Sequence, residues 1–276
     1  MSWIAGITIF CFGASYALAL VLELLQLLRP RPVLRLLATV AGGAGLLAHT
    51  LFLVHALFLA GPRLSLATSF GALLLLAWVL AIFYLYGSVH HRRQAWGVFA
   101  LPLVLGLVGL AWGLRPDEPQ PAPDPEREVW FLNVLHGGLL LLAAVGVCVA
   151  FLASVMYLIQ SRRLRAKMLP GQGLKLLSLE RLEAMNRRAI LWAFPLLTAG
   201  VVVGMILLAR VNPPQSWADS RIWGAAALWL VFALLVYLRF GYHLRGRRVA
   251  FLTIVAFVLL LCTLAASHTV VQGGAP

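Results

Sequence analysis

The sequence predicts an all-α integral membrane protein, a bundle of about eight transmembrane helices, on three observations. Hydrophobic residues make up 62% of the 276 residues and charged residues only 11%, about half the charge of a soluble domain. Apolar runs of about 20 residues, the length that crosses a bilayer, recur along the whole chain. The 22 Lys and Arg cluster in the short segments between these runs, which is typical of an inserted membrane protein and argues against a nucleic-acid partner.

Each apolar run is long enough to cross about 30 Å at a rise of about 1.5 Å per residue. The first run is too long, and lacks the basic start, to be a cleaved signal peptide. The predicted spans are residues 3–27, 33–60, 66–88, 96–114, 130–160, 189–210, 221–241 and 249–270. We interpret residues 1–276 as a single polytopic membrane domain, because no connecting segment is long enough for a soluble domain.

The basic residues predict the orientation. Four segments hold 17 of the 22 Lys and Arg, namely 28–35, 89–95, 161–188 and 239–248. Because basic loops stay on the cytoplasmic side, both termini are expected on the periplasmic side of a bacterial inner membrane.

Two loops differ in character. The outer loop 115–129 carries five acidic residues among repeated prolines and is typical of an extended, solvated linker. The inner loop 161–188 places Leu179, Leu182 and Met185 on one helical face with charges around them. This pattern predicts a short amphipathic helix at the cytoplasmic interface.

Histidines inside the spans are the most informative polar residues, because a titratable ring costs free energy in lipid. By the predicted topology they are His49 near mid-membrane, His55 and His136 in the outer third, and His268 at the outer end. A helix–helix hydrogen bond is the alternative for the first two, and a wetted helix end is the alternative for the last.

His136 is the hardest of the four to explain as a packing residue. Gly137 and Gly138 follow it, and two glycines beside an imidazole allow another helix, or a planar ligand, to approach closely. In the sixth span, Gly200 and Gly204 form a GxxxG spacing, which predicts a close-packing face and not a site.

The loop between the sixth and seventh spans lies above the level that His55, His136 and His268 share. It contributes Trp217, Asp219 and, at the start of the seventh span, Trp223. Imidazoles and aromatic rings at one depth are what a haem requires, as axial ligands and as flat apolar walls. For Trp223 the alternative is an interfacial anchor.

A series of short motifs runs in a fixed order through the chain. It comprises His136-Gly-Gly-Leu-Leu, Met156-Tyr-Leu, Leu179-Glu-Arg-Leu-Glu, Arg187-Arg-Ala-Ile, Pro195-Leu-Leu-Thr-Ala-Gly, Trp217-Ala-Asp, Gly246-Arg-Arg and finally His268. This series resembles the cytochrome c assembly membrane family, which includes CcsA, CcmC and the short HemX-like and YpjD-like proteins. The resemblance covers roughly residues 40–270, and the size is most similar to the HemX-like and YpjD-like branch.

The resemblance implies haem handling near the periplasmic face, in cytochrome c biogenesis. Family members that handle haem coordinate its iron with two external histidines that flank a tryptophan-rich loop, and the matching positions are His136 and His268. His49 matches an intramembrane histidine of some members. Where the family has a WGxxWxWD pattern, this chain keeps only Trp217 and Asp219, which argues against ligase activity.

The resemblance therefore implies a haem-binding, haem-transfer or regulatory protein, with lipid, haem and other cytochrome c biogenesis proteins as partners. Trp217 and Trp223 would form the haem platform, and Asp219 would orient the loop. The main alternative is an ion or solute transporter, or a transport-accessory protein, without haem. A third class is a structural membrane partner that acts through the basic loop 161–188.

Overall fold

The computed structural model describes most of the chain, and every regular element in the described part is a helix. The described residues are 8–56, 68–90, 95–115, 127–166, 176–210, 220–242, 244 and 246–272, with the backbone alone described for 127–129, 220–221 and 266–272. The all-α prediction is thus confirmed over these ranges.

Eight helices lie in the described part, one for each predicted span. They are α1 (Ile9–Leu28), α2 (Pro32–Val54), α3 (Ser69–His90), α4 (Gly97–Gly113), α5 (Arg127–Arg165), α6 (Leu179–Arg210), α7 (Ser220–Phe240) and α8 (Arg247–Gln272). Seven of them are long and apolar enough to cross a membrane, and α4, with 17 residues, is a shorter apolar helix.

The surface of these helices is apolar, as expected of a protein solvated by lipid. On α1, for example, Phe10, Leu18, Val21 and Leu28 are more than half exposed, and only 17% of its most apolar window is buried inside the structure. A water-soluble protein would hide such a surface, because exposed apolar patches of this extent drive association.

Two helices are longer than the sequence predicts by two turns or more. α5 has 39 residues and α6 has 32, or about 58 Å and 48 Å at a rise of about 1.5 Å per residue, against a hydrocarbon core of about 30 Å. The prediction of a separate amphipathic helix within 161–188 is wrong, because residues 179–188 are the first turns of α6. The buried face continues without a break there, since Leu182, Asn186 and Ile190 are all buried.

The helices group into two compact units, which we describe separately. Unit 1 comprises α1 to α4, and unit 2 comprises α5 to α8. The single membrane domain inferred from the sequence stays a prediction.

In the core of unit 1, two glycines of α2 leave room for two tyrosine rings. A Cβ added at Gly42 would lie 2.6 Å from Cε1 of Tyr84, and one at Gly45 would lie 2.8 Å from Cε1 of Tyr16. Both tyrosines are fully buried. Because the two glycines are one turn apart on the same face, α2 approaches both rings closely.

In unit 2, α5 and α6 pack antiparallel along most of their length. A Cβ at Gly146 would lie 2.8 Å from Cβ of Ala193, and one at Gly200 would lie 2.7 Å from Cδ2 of Leu140. Residue numbers therefore rise along α6 as they fall along α5, and small residues allow the two backbones to approach closely.

Helix α8 is also antiparallel to α5. The rings of Phe151 and Phe257 are stacked with centroids 4.0 Å apart. Further along, the hydroxyl of Tyr157 lies against Gly246, where an added Cβ would be 2.9 Å from it. Gly246 has φ +76°, a left-handed conformation that suits glycine, and α8 begins at the next residue.

Helix α7 runs antiparallel to α6. The indole N–H of Trp229 donates to the hydroxyl of Thr198 at 3.0 Å, and the guanidinium of Arg239 donates to the amide oxygen of Asn186 at 2.7 Å. Together, the contacts of α5 with α6, of α5 with α8 and of α6 with α7 fix the register of the four helices of unit 2. This register decides which residues lie at the same height along the helix axes.

Candidate functional site

The imidazole of His136 is held by a hydrogen bond to the backbone of the neighbouring helix. Its Nδ1 donates to the carbonyl oxygen of Gly200 at 2.8 Å, and the ring is half-buried. A carbonyl oxygen can only accept, so the proton of the neutral ring sits on Nδ1 and Nε2 keeps its lone pair. A backbone carbonyl that fixes the tautomer in this way is the usual support of an iron- or zinc-binding histidine.

The room for this ring comes from the GxxxG face of α6. A Cβ added at Gly204 would lie 2.6 Å from Cε1 and 2.9 Å from Nδ1 of His136. The predicted close-packing face is therefore confirmed, and it holds the imidazole as well as Leu140 of α5. The sequence interpretation, in which Gly200 and Gly204 take no part in a site, misses this contact.

The second glycine after His136 does not admit another helix, which was one of the two alternatives expected of it. A Cβ at Gly138 would meet nothing within 4 Å. Two residues further on, an α-helix has turned by about 200°, so Gly138 faces away from the side on which His136 meets α6.

Trp223 lies at the same end of unit 2 as His136. Thr198 and Trp229 are hydrogen-bonded and therefore lie at one level. Gly204, which contacts His136, lies about 9 Å further along α6, and Trp223 lies about 9 Å from Trp229 along α7 in the same direction. The indole of Trp223 is 67% exposed. Its ring is therefore on the surface, at the level of the His136 imidazole.

The backbone position of His268 falls near the same level. Starting from the stacked pair Phe151–Phe257, His136 lies about 22 Å along α5 and His268 about 16 Å along α8, in the same direction. The His268 side chain lies outside the described part of the structure. Trp217 and Asp219 also lie outside the described residues, so their roles stay predictions.

His49, in unit 1, is a fully buried histidine. Its ring is stacked on Phe12 with centroids 4.1 Å apart, and its Nδ1 lies 3.4 Å from the hydroxyl of Tyr16 on α1. The helix–helix hydrogen bond that the sequence left open is therefore present, at a long distance. Nε2 of the same ring has no hydrogen-bond partner among the described residues, which is costly for a buried polar atom.

His55, also in unit 1, directly follows the last residue of α2. It is half-buried, and its backbone N–H bonds to the carbonyls of Leu51 and Phe52. The predicted shared level of His55 with His136 and His268 stays a prediction. Among the described residues, no three His, Cys, Asp or Glu side chains lie together as a set of metal ligands.

Sequence reasoning missed a polar cluster in unit 2. Asn186 is 5% exposed, and its amide N–H groups donate to Ala150 O at 3.1 Å, to Ser154 at 2.9 Å and to Thr253 at 3.3 Å. Its oxygen accepts from Arg239, which is 7% exposed. The available signal was the position of Asn186, four residues from both Leu182 and Ile190 on one buried face.

A family model matches most of the chain. The family model described as cytochrome C assembly protein matches residues 66–272, which include all of unit 2. The chain belongs to the cytochrome c assembly protein family. The resemblance drawn from the sequence motifs is thus confirmed at the level of the family.

Distant relatives of this family member are proteins named cytochrome c biogenesis protein CcsA. The one from Gloeobacter violaceus is 22% identical and covers 99% of this chain and 96% of its own length. The one from Thermosynechococcus vestitus is 24% identical, with 83% and 84% covered. The one from Synechococcus sp. strain CC9605 is 25% identical, with 68% and 69% covered. No solved structure gives a significant match.

Proposed function

We propose that this family member is a haem-handling membrane protein of cytochrome c biogenesis, with haem held near the periplasmic face by His136 and His268. The observation that carries the proposal is the hydrogen bond from Nδ1 of His136 to the carbonyl of Gly200. It presets the ring as an Nε2 ligand, and it holds the ring in one orientation before any ligand arrives.

The residues present fit a haem. A haem carries four nitrogen ligands of its own and requires from the protein only axial ligands and aromatic or apolar walls. His136 provides an oriented imidazole, and the register of α8 supports His268 as the second. When bound, haem would supply a redox-active iron, and His136 and His268 are the residues that would hold it.

The other predicted residues have positioning roles in this proposal. Trp223, exposed at the level of His136, offers its indole face to the macrocycle together with Trp217. Asp219 orients the loop that joins α6 to α7. The names of the CcsA relatives support a place in cytochrome c biogenesis, and the basic loops support a bacterial inner membrane with both termini outside. Assignment to the HemX-like branch rests on chain size alone.

His49 and His55 are proposed as further cofactor-binding residues of unit 1. For His49 the support is the buried Nε2 without a described hydrogen-bond partner. Because Phe12 covers one face of the ring and the Tyr16 hydroxyl lies at Nδ1, a ligand would approach the Nε2 edge. For His55 the support is its position at the end of α2.

An absorption spectrum of the detergent-purified protein, as isolated and after haem addition, tests the proposal. We expect a Soret band with low-spin features that His136→Ala or His268→Ala weakens strongly, and that added imidazole restores in the His136→Ala protein. His90→Ala is the matched control, because His90 is exposed and stacked on Tyr86. His49→Leu and His55→Leu show whether unit 1 contributes. The absence of a band, or equal bands in all variants, would refute the haem assignment.

A further inference from the structure

A hydrogen bond between a tryptophan and a threonine recurs at the same place in both units. In unit 2 the indole N–H of Trp229 on α7 donates to the hydroxyl of Thr198 on α6 at 3.0 Å. In unit 1 the indole N–H of Trp78 on α3 donates to the hydroxyl of Thr50 on α2 at 2.9 Å. Each Trp–Thr bond therefore joins the third helix of its unit to the second.

The hydroxyl protons of both threonines are engaged within their own helices. Thr198 donates to the carbonyl of Phe194 at 2.9 Å, and Thr50 donates to the carbonyl of Leu46 at 2.7 Å. A hydroxyl has one proton, so each threonine meets the indole as an acceptor. The indole, the hydroxyl and the carbonyl thus form a chain of two hydrogen bonds that polarise one another, and this chain holds one turn of the second helix against the third.

In unit 2 the Trp–Thr bond holds the part of α6 that binds His136. Gly200, whose carbonyl accepts from His136, lies two residues after Thr198. Pro195 lies one turn before Gly200, inside α6. A proline removes one backbone hydrogen bond of a helix, which makes the helix easier to bend at that point. The bond from Trp229 follows the proline within one turn and therefore fixes the direction of the Gly200 carbonyl.

In unit 1 the Trp–Thr bond holds the turn of α2 that carries His49. Thr50 is next in sequence to His49, and Gly42 and Gly45 precede them by one to two turns, where they make the helix backbone less rigid. The ring of His49 is stacked on Phe12 of α1, while Thr50 faces α3. Helix α2 is therefore held from two sides at the level of the histidine.

We propose that Trp229 and Trp78 are positioning residues, each of which sets the orientation of the histidine of its own unit. Each indole N–H is used on a threonine, so it acts through the helix turn to which that threonine belongs. The effect of Trp229 on haem rests on the proposed function, in which His136 is a ligand. Its effect on the orientation of the imidazole does not depend on haem.

Nitrogen NMR of the detergent-purified full chain, made with isotope-labelled histidine, tests the proposal without haem. In Trp229→Phe we expect the Nδ1 and Nε2 signals of His136 to move toward each other, because a ring that loses the Gly200 carbonyl exchanges between its two tautomers. The signals of His49 should stay in place. Trp78→Phe should shift the signals of His49 and leave those of His136 unchanged. The His136→Ala and His49→Leu proteins assign the signals.

Two substitutions of the acceptor separate the hydrogen bond from the bulk of the indole ring. Thr198→Ser keeps the hydroxyl and should keep the His136 signals where they are. Thr198→Val has the same shape without the hydroxyl, and it should shift them as Trp229→Phe does. With haem added, Trp229→Phe and Thr198→Val should raise the dissociation constant about threefold, the average worth of one hydrogen bond between membrane helices.

Trp192→Phe is the matched control, because it removes an indole of α6 that is 72% exposed. It should shift neither histidine. His136 signals that stay in place in Trp229→Phe, or that move equally in Trp192→Phe, would overturn the positioning role, and so would equal movement of both histidines in each variant. Shifted His136 signals with unaltered haem binding would support the positioning role and count against His136 as the haem ligand.

Discussion

At the scale of single residues, Gly204 decides how closely α6 can approach the imidazole of His136. In Gly204→Ala the new Cβ would lie 2.6 Å from Cε1 of that ring, a distance that real structures do not tolerate. The ring must turn or the helices must separate. We expect a loss of about 1–3 kcal/mol in unfolding free energy, the usual result of overpacking, and a weaker Soret band after haem addition.

Gly138→Ala is the control for this prediction, because its Cβ would meet nothing within 4 Å and alanine favours a helix by about 0.5–1 kcal/mol over glycine. Thermal unfolding in detergent and the absorption spectrum measure both variants. If the two alanine variants behaved alike, the close contact between Gly204 and His136 would be disproved.

His136 also shows how far a sequence can specify the surroundings of a proposed site residue. The histidine itself stands out, because an imidazole in an apolar run is rare and costly. Its acceptor does not stand out, because a GxxxG spacing predicts a close approach without saying which helix approaches. The Gly200 carbonyl becomes the partner only when α5 and α6 are packed together.

At the scale of helices, Asn186 links all four helices of unit 2. It lies on α6, donates to α5 and α8, and accepts from Arg239 of α7. Ser154 and Thr253 each also donate to a carbonyl of their own helix, so they keep a partner without Asn186. Arg239 would lose its hydrogen bond of 2.7 Å.

Asn186→Leu is a replacement of similar shape that removes the amide oxygen to which the buried Arg239 donates. We therefore expect it to lower the unfolding free energy by about 3 kcal/mol. Arg239→Met in the Asn186→Leu background should restore most of the loss, because removing both partners of a buried polar pair is nearly neutral. A double-mutant cycle by thermal unfolding measures the coupling. Additive losses would contradict the link between the two side chains.

The helix positions follow from the sequence because apolar runs bounded by arginines leave the backbone few alternatives in a membrane. The start of α6 could not be predicted from the sequence in this way. Residues 179–188 carry enough charge to suggest an interfacial helix. The structure nevertheless continues them into α6, because Leu182 and Asn186 are buried in unit 2, and that burial depends on the other helices.

At the scale of the whole molecule, the distribution of charge predicts that both termini and loop 115–129 face the periplasm, while loop 161–188 faces the cytoplasm. Single cysteines at Gln120 and Gln172, in a chain whose Cys11, Cys148 and Cys262 are first replaced by serine or alanine, test this orientation. A membrane-impermeant thiol reagent should label position 120 in cells with a permeabilised outer membrane. It should label position 172 only after the inner membrane is opened.

The reverse labelling pattern would invert the topology and place His136 on the cytoplasmic side. Labelling at both positions in closed cells would mean that the inner membrane is not intact. A cytosolic protein with one exposed cysteine is the control, because it is labelled only when that membrane leaks. The family membership would be unaffected by either result, because it rests on residues 66–272.

The sequence by itself determined the fold class, the approximate positions of the helices and the family, and it predicted His136 as the leading site residue. Each of these depends on local composition or on the order of motifs along the chain. Only the tertiary structure decided that Gly200 fixes the tautomer of His136 and that Trp223 lies at its level. It also showed that Arg239 and Asn186, on separate helices, form a buried polar pocket. These depend on the register between helices, which is set by side-chain packing across their faces and is not encoded in any one segment.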